Sequence, residues 1–443
     1  MSSLLTTFPL QRSLGKVAYC EGPYIHSEEY GKILDLTAGG TAFALLGWNN
    51  EEINDAIHSQ IKKYSHLDYK TFDDPNRHKL ANLLTASKQS LDYCFLSGAS
   101  GAEACEMAIH MSYQQHCEEG NKNKQKFICR SQSYHGATSM AMALGDRPNL
   151  DFYKPIHPKN LIRISEPNYF KNKLLDESET MYCDRLINEL NQAITKEGAE
   201  NIAAFVGETC LGGLVGDVPP PKNYWKRIKE ICSINNIHLI LDEVWCGTGT
   251  SGRYYCYEHD NIIPDFIFLG KTLGCGYIPI SAVLTNRIFY ETIVNGSGKV
   301  CTSSTFQGHS VATASALAVQ EIINKPEFLN NVDIQGQKVR NLLRKELSDY
   351  SEIVNIRGRG LRNSIEYSIE DQNKFGQYIS QEMFKKYRTL VSGKWHRIGL
   401  CHALNIQDDI LFPSIQNLIE TIKFAINNWE NIDKSEILNK HSY

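Results

Sequence analysis

No apolar run in this 443-residue chain approaches the roughly 20 residues that a membrane-spanning helix needs. The start, MSSLLTTFPLQRSLGK, lacks the basic segment and following apolar core of a signal peptide. No basic cluster stands out, and 46 Lys and Arg against 50 Asp and Glu leave a formal net charge of -4. Nucleic acid and an anionic membrane surface are therefore not expected as partners. The thirteen cysteines include no C-x-x-C pair and are odd in number, so neither a metal site nor a disulfide framework is expected. Several, such as Cys94, Cys129 and Cys232, lie in or beside apolar runs, where a thiol serves as a small hydrophobe. Internal repeats and low-complexity tracts are missing as well. What remains is an ordinary globular composition with room for roughly two domains, expected to be cytoplasmic and reduced.

The most informative stretch is 237–271, IHLILDEVWCGTGTSGRYYCYEHDNIIPDFIFLGK. Two short apolar runs, 237–241 and 266–269, are bounded by turn signals, as buried parallel strands are. The first ends on Asp242 and Glu243, and the second on Gly270 and Lys271. A carboxylate and a lysine thus arrive at the C-terminal edge of a sheet, where open α/β sheets bind ligands. That pairing suits pyridoxal phosphate (PLP) chemistry, with lysine forming the Schiff base and the acid keeping the pyridine nitrogen protonated. Read alone, the same residues also fit an Asp that caps a turn and a surface lysine.

The rest of the chain alternates strand and helix patterns. A hairpin is expected within 21–40, a helix after Asn49 or Asn50, and strands at 91–96, 126–130, 202–207 and 281–285. Helices are expected across 102–117 and 222–235. The alternation predicts an α/β fold with a mostly parallel sheet covered on both faces. Segment 166–181 reads as a polar, irregular surface insertion. From Gly308 the helical TASALAVQEII is expected to leave this domain, and the remainder forms a smaller α+β domain around IVNIRGRGLRNSIEY. The expected division is an N-terminal segment, 1–60, packing with the small domain, a large domain, 61–310, and a small domain, 311–443.

Two further elements point at the same edge. SGASGAEACEMAIHMS (97–112) is a small-residue loop opening onto a helix, where Ser100, Gly101 and Ala102 can cradle a phosphate on free N–H groups. Most such loops are only tight turns. In SYHGATSMAM (133–142), Tyr134 can stack on a planar cofactor and His135 can bond polar groups around it; an aromatic packing over a strand end is the plainer reading.

Together these blocks resemble the class III (ω-amino acid type) PLP-dependent aminotransferases of fold type I. The likeness runs over nearly the whole chain, through SGAEACEMA (100–108), YHGAT (134–138), LILDEVWCGTGTSGR (239–253), PDFIFLGKTLGCGYIPISAV (264–283) and TFQGH (305–309). It implies that Lys271 carries the Schiff base and shuttles the proton, with pyridoxamine phosphate formed midway. It also implies that Asp242 pairs with the pyridine nitrogen, Val244 packs under the ring, Tyr134 stacks above it, and Ser100, Gly101 and Ala102 hold the phosphate. Thr305 would reach the phosphate of a neighbouring subunit, which implies a homodimer with shared active sites. Glu208 matches a supporting glutamate. The departures are Gly213, where ornithine and 4-aminobutyrate enzymes carry a second glutamate, and Thr250, where the family loop carries arginine. Tyr24, Trp48 and Arg397 are candidates for contact with substrate, Arg397 otherwise reading as an exposed loop arginine, while Arg357 and Arg359 read as structural. The implied reaction moves an amino group from an amine, ω-amino acid or α-amino acid to a 2-oxo acid such as pyruvate or 2-oxoglutarate. Aminomutases, racemases and decarboxylases share the lysine and the acid and differ in pocket shape; a catalytically idle PLP-binding protein is the rival from another class.

Overall fold

The computed structural model describes residues 15–86, 91–435 and 437. Near the N-terminus, β1 (Val17–Glu21), β2 (Tyr24–Ser27) and β3 (Gly31–Asp35) form an antiparallel meander. The hairpin expected within 21–40 is β2–β3.

Residues Glu51–Asp333 form one compact unit. Its helices are α1 (Glu51–Ile61), α2 (Pro75–Thr85), α3 (Gly101–Glu118), α4 (Ser139–Leu144), α5 (Tyr169–Asn172), α6 (Glu179–Glu197), α7 (Tyr224–Ile234), α8 (Arg287–Asn295) and α9 (Ser310–Ile323). Its strands are β4 (Tyr93–Gly98), β5 (Lys126–Arg130), β6 (Leu161–Ile164), β7 (Ile202–Glu208), β8 (His238–Asp242), β9 (Phe266–Leu269) and β10 (Ser281–Thr285). They make one sheet in the order β4-β10-β9-β8-β7-β5-β6. From β9 to β6 every pairing is parallel, whereas β10 runs antiparallel to both β4 and β9. Each residue of β7, β8, β9 and β10 is buried, as expected of strands covered on both faces.

The other unit joins residues up to Asn50 with those from Ile334 onward. The division at Asp333 falls inside α10 (Pro326–Leu347). After it come β11 (Ile353–Arg359), β12 (Arg362–Tyr367), α11 (Gln372–Tyr387), β13 (Thr389–Leu390), β14 (Ser392–Lys394), β15 (Arg397–Leu400) and α12 (Asp408–Asn428). A second sheet runs β11-β12-β15-β14, and β13 extends the N-terminal meander by pairing in parallel with β3. This pairing, together with Leu34 and Leu36 in the same core as Val339, Ile365 and Leu418, ties the N-terminal segment to the C-terminal one.

Two expectations need correction. The boundaries at 60/61 and 310/311 lie instead at 50/51 and 333/334, because α1 and α9 belong to the large unit. Helix α9, SVATASALAVQEII, does not leave that unit. It is buried on nearly all sides, and its small residues let it pack closely on α1 and α2. Segment 166–181 is largely exposed and irregular apart from α5 and the start of α6, as expected, and it is anchored at two points: Tyr182 donates to the Glu166 carbonyl at 2.7 Å, and Arg185 clamps the Glu177 carboxylate at 2.8 and 2.9 Å. Among the described residues no helix is long and apolar enough to cross a membrane.

Candidate active site

Asp242 is the last residue of β8, and the β8–β9 register pairs it with Phe268, so Lys271 follows just beyond the same edge. The Asp242 carboxylate is 4% exposed. Its Oδ1 accepts the Val244 N–H at 2.9 Å, and its Oδ2 lies 2.8 Å from His135 Nδ1. With an ionised carboxylate, which can only accept, this contact is donated by His135 Nδ1–H. His135 Nε2 is buried without a hydrogen-bond partner. The imidazole therefore acts as a rigid strut that orients Asp242.

Lys271 opens a 3-10 turn (Lys271–Leu273) with φ +40°, in the left-handed region. For a residue with a Cβ this conformation costs about 1–2 kcal/mol, and such strain persists where surrounding structure imposes it.

The small-residue loop after β4 meets these residues. Ser100 caps α3 in a capping box with Glu103: its hydroxyl accepts the Glu103 N–H at 3.2 Å, while its own N–H donates to Glu103 Oε2 at 2.9 Å. The N–H groups of Gly101 and Ala102 follow in the first turn, where no i−4 carbonyl exists to take them. Gly101 must be glycine, since a Cβ there would lie 2.8 Å from Val244 Cγ2. Ala102 in turn abuts Gly136, whose added Cβ would fall 2.4 Å from the Ala102 Cβ. The small-residue loop, Val244 and the Tyr134–His135 loop are thus one packed assembly.

Glu208 ends β7 and ties that loop down. Its Oε1 accepts the Tyr134 N–H at 3.1 Å and its Oε2 the Gly212 N–H at 2.9 Å. Burial, and secondarily the nearby Asp242 charge, push its carboxyl above the usual range, with His135 pulling the other way. The Tyr134 ring is partly exposed and carries the Arg147 guanidinium 5.6 Å from its centroid.

The donor set fits a phosphorylated pyridine aldehyde: a lysine amine, a buried carboxylate held by two donors, free N–H groups at a helix start, and an aromatic at the same edge. Among the described residues no group of three His, Cys, Asp or Glu is placed to hold a metal ion.

The family model described as class-III aminotransferase matches residues 13–422. The chain belongs to the class III aminotransferases. Its cofactor is accordingly pyridoxal 5′-phosphate. An aminotransferase of Gibberella zeae is 33% identical over 78% of this chain and 68% of its own length. The gamma aminobutyrate transaminase 2 of Solanum lycopersicum is 32% identical over 78% and 76%. Among solved structures, the omega transaminase of Pseudomonas jessenii in complex with PMP is 27% identical at a TM-score of 0.86, covering 94% of this chain and 92% of that one.

The remaining residues singled out in the sequence fall in both units of this aminotransferase. Thr305 is exposed on the turn at 305–308, with its carbonyl 3.1 Å from His66 Nε2. Tyr24, Trp48 and Arg397 belong to the smaller unit. Tyr24 lies in β2 under the Lys32 ammonium, and Trp48 bridges Gly22 through both backbone bonds. Arg397 is not an exposed loop arginine: it starts β15, is 4% exposed, and opposes Glu366 across the β12–β15 pairing. Arg357, also buried, pairs with the Glu366 carboxylate, as a structural residue would.

Sequence reasoning assigned no role to Glu243, Arg130 or Trp245. The Glu243 carboxylate accepts from Thr209 Oγ1 at 2.6 Å, Cys256 N at 2.7 Å and Tyr257 N at 3.0 Å, fastening the strand edge to the loop after it. Its burial raises the carboxyl well above the usual range. Arg130, the last residue of β5, donates to the Glu208 carbonyl at 2.6 Å and holds the neighbouring strand end. A charged residue closing an apolar strand was the available signal for both. Nothing in the pattern around Trp245 marks its position beside Lys271.

Proposed function

We propose that Lys271 is the lysine at which amine and cofactor exchange, and that Asp242 is its partner acid. The observation that carries this reading is their arrival at one edge on adjacent strands, with the Asp242 carboxylate buried and bonded to His135 Nδ1 and Val244 N. When bound, PLP supplies a carbonyl for amine exchange and an electron sink for ionising a carbon–hydrogen bond beside nitrogen. The chain's residues do the rest. The Lys271 amine, once displaced by a donor amine, would take the proton from the donor carbon and return it to the carbon on the other side of the nitrogen. Asp242, oriented by His135 and Val244 N, would accept from a protonated pyridine nitrogen and hold that proton in place. Gly101 and Ala102 offer N–H groups to the phosphate, with Ser100 shaping the turn. Tyr134 and Val244 take the two ring faces, and Glu208 holds Tyr134 in place. Donors are primary amines, ω-amino acids or α-amino acids, and acceptors are 2-oxo acids. The names of relatives, a gamma aminobutyrate transaminase and a vanillin aminotransferase of Capsicum chinense 31% identical over 78% of this chain, fit a donor or acceptor group distant from an α-carboxylate.

The experiment uses donor alone. Excess amine without acceptor converts the visible band of the holoenzyme into a near-ultraviolet band, and a 2-oxo acid restores it, one product forming per site in each half. Rapid consumption of a single substrate with the visible band persistent and no acceptor required would move the assignment to a mutase or racemase.

The working unit in this reading is a cytoplasmic homodimer with shared sites. Most of the thirteen cysteines are buried free thiols, which suits a reducing compartment. Thr305 and Phe306 project, Phe306 at 57% exposure, as a loop serving another subunit would. Mixing Lys271→Ala subunits with Thr305→Val subunits gives heterodimers in which one site carries both lesions and the other neither, so activity rises above that of either parent. An active monomer in size measurements would end the shared-site model.

A further inference from the structure

Trp245 stands directly beside the lysine. The Lys271 Nζ lies over its ring, 5.3 Å from the centroid. The indole is fixed from several sides. Its Nε1 donates to Asp217 Oδ1 at 2.8 Å, and Asp217 is itself buried at 3% exposure. Cys210, Cys246 and Cys256 form a buried cluster against which the ring packs. The loop 208–218 closes on it: an antiparallel bridge joins Leu211 to Val218, and Gly212 passes so close that a Cβ there would lie 2.2 Å from Trp245 Cδ1. At Gly213 a Cβ would be 3.6 Å from Cζ3, so any larger side chain would spread over the ring. The ring nonetheless remains partly exposed.

We propose that Trp245 is a specificity-determining residue whose indole face receives the substituent of the donor amine and selects flat apolar donors, aryl or arylalkyl amines, over short carboxylate-bearing ones. The proposal rests on Lys271 being the exchanging lysine. During exchange the donor nitrogen takes the bonding position of Nζ, so the carbon it carries, and the group on that carbon, pass within reach of a ring centred 5.3 Å from Nζ. The ring face is the negative side of the aromatic quadrupole. It favours the lysine ammonium while that is present, and a stacked ring or apolar surface once the amine has moved. A short chain ending in a carboxylate brings negative charge against that face and gains neither.

Two reagents read this without turnover. O-Benzylhydroxylamine and aminooxyacetate both capture PLP as oximes with a change in absorbance, and they differ in presenting a ring or a carboxylate. Wild-type holoenzyme is expected to be trapped faster by the benzyl reagent. Trp245→Leu, which keeps apolar bulk but removes the aromatic face, lowers the benzyl-to-carboxylate ratio about tenfold, the upper range for a lost aromatic contact. Trp245→Phe keeps the ratio within about threefold of wild type. In steady state the same shift appears in kcat/KM for an arylalkylamine against 4-aminobutyrate. An unchanged ratio in a Trp245→Leu enzyme that loads cofactor normally overturns the proposal. If that variant does not fold, wild type alone decides, because a stacking wall traps O-benzylhydroxylamine faster than its saturated cyclohexylmethyl analogue, and equal rates would refute it. Borohydride labelling separates the two levels: PLP fixed on another lysine sinks the Lys271 reading, whereas an unchanged ratio with Lys271 labelled sinks this one alone.

Discussion

Replacing Lys271 with Ala lowers turnover by at least about a thousandfold, within the range that general acid–base groups supply and enlarged by loss of the exchange site. Borohydride treatment of the wild type, followed by digestion, places PLP on the peptide containing Lys271, and the variant yields no such peptide. The fold is expected to survive, because Ala keeps a Cβ and removes only a partly exposed side chain. Cofactor remains bound without covalent attachment, since Asp242, Gly101, Ala102 and Tyr134 are untouched. In the cofactor-free protein the indole of Trp245 loses the Lys271 amine that lies over it, so tryptophan emission shifts as well. Unaltered turnover in the Lys271→Ala enzyme would bring down the residue assignment as a whole.

Asp242→Asn removes charge and leaves shape. The amide oxygen still accepts from Val244 N, and His135 meets the new NH2 by moving its proton from Nδ1 to Nε2, the atom now buried without a partner. Thermal stability is therefore little changed. The rate is not. A neutral amide cannot hold the pyridine proton by charge, and removal of one preorganised electrostatic group costs about 2.7–4 kcal/mol, or a hundred- to thousandfold. Single-turnover bleaching with excess donor measures this directly, free of product release. A rate near that of wild type would refute the ring-acid role of Asp242. A variant that melts far below wild type would show instead that the carboxylate holds the strand edge together, so melting and rate are read on the same sample.

Much of the candidate site is legible in one dimension because its residues sit at strand ends. A buried parallel strand announces itself as a short apolar run, and the polar residue that closes it must lie at the sheet edge. Asp242 and Lys271 follow from that rule, as do the bounds of β5 and β10, which coincide with the apolar runs at 126–130 and 281–285. The phosphate loop is visible for the same reason, since small residues before an amphipathic helix leave N–H groups free. The family blocks then join these pieces and carry the class of reaction.

Pairing partners and enclosure are decided only in three dimensions. An apolar run reports burial, not direction, and nothing in SAVLT says that β10 lies antiparallel between β4 and β9. Helix α9 reads equally well as leaving the large unit or filling it, because small residues permit close packing wherever a partner surface exists. Arg397 looks like a loop residue until β15 pairs with β12 and buries it. Trp245 is the clearest case. Its immediate neighbours in sequence say only that an aromatic follows an apolar strand end. Its orientation is set by Asp217, 28 residues earlier, and by two glycines that leave it room, while the Lys271 ammonium over its face comes from the next strand. Sequence patterns record what each residue needs from solvent and backbone; which groups meet depends on long-range closure of the sheet, and that closure is what brings a strand-end tryptophan beside the Lys271 amine.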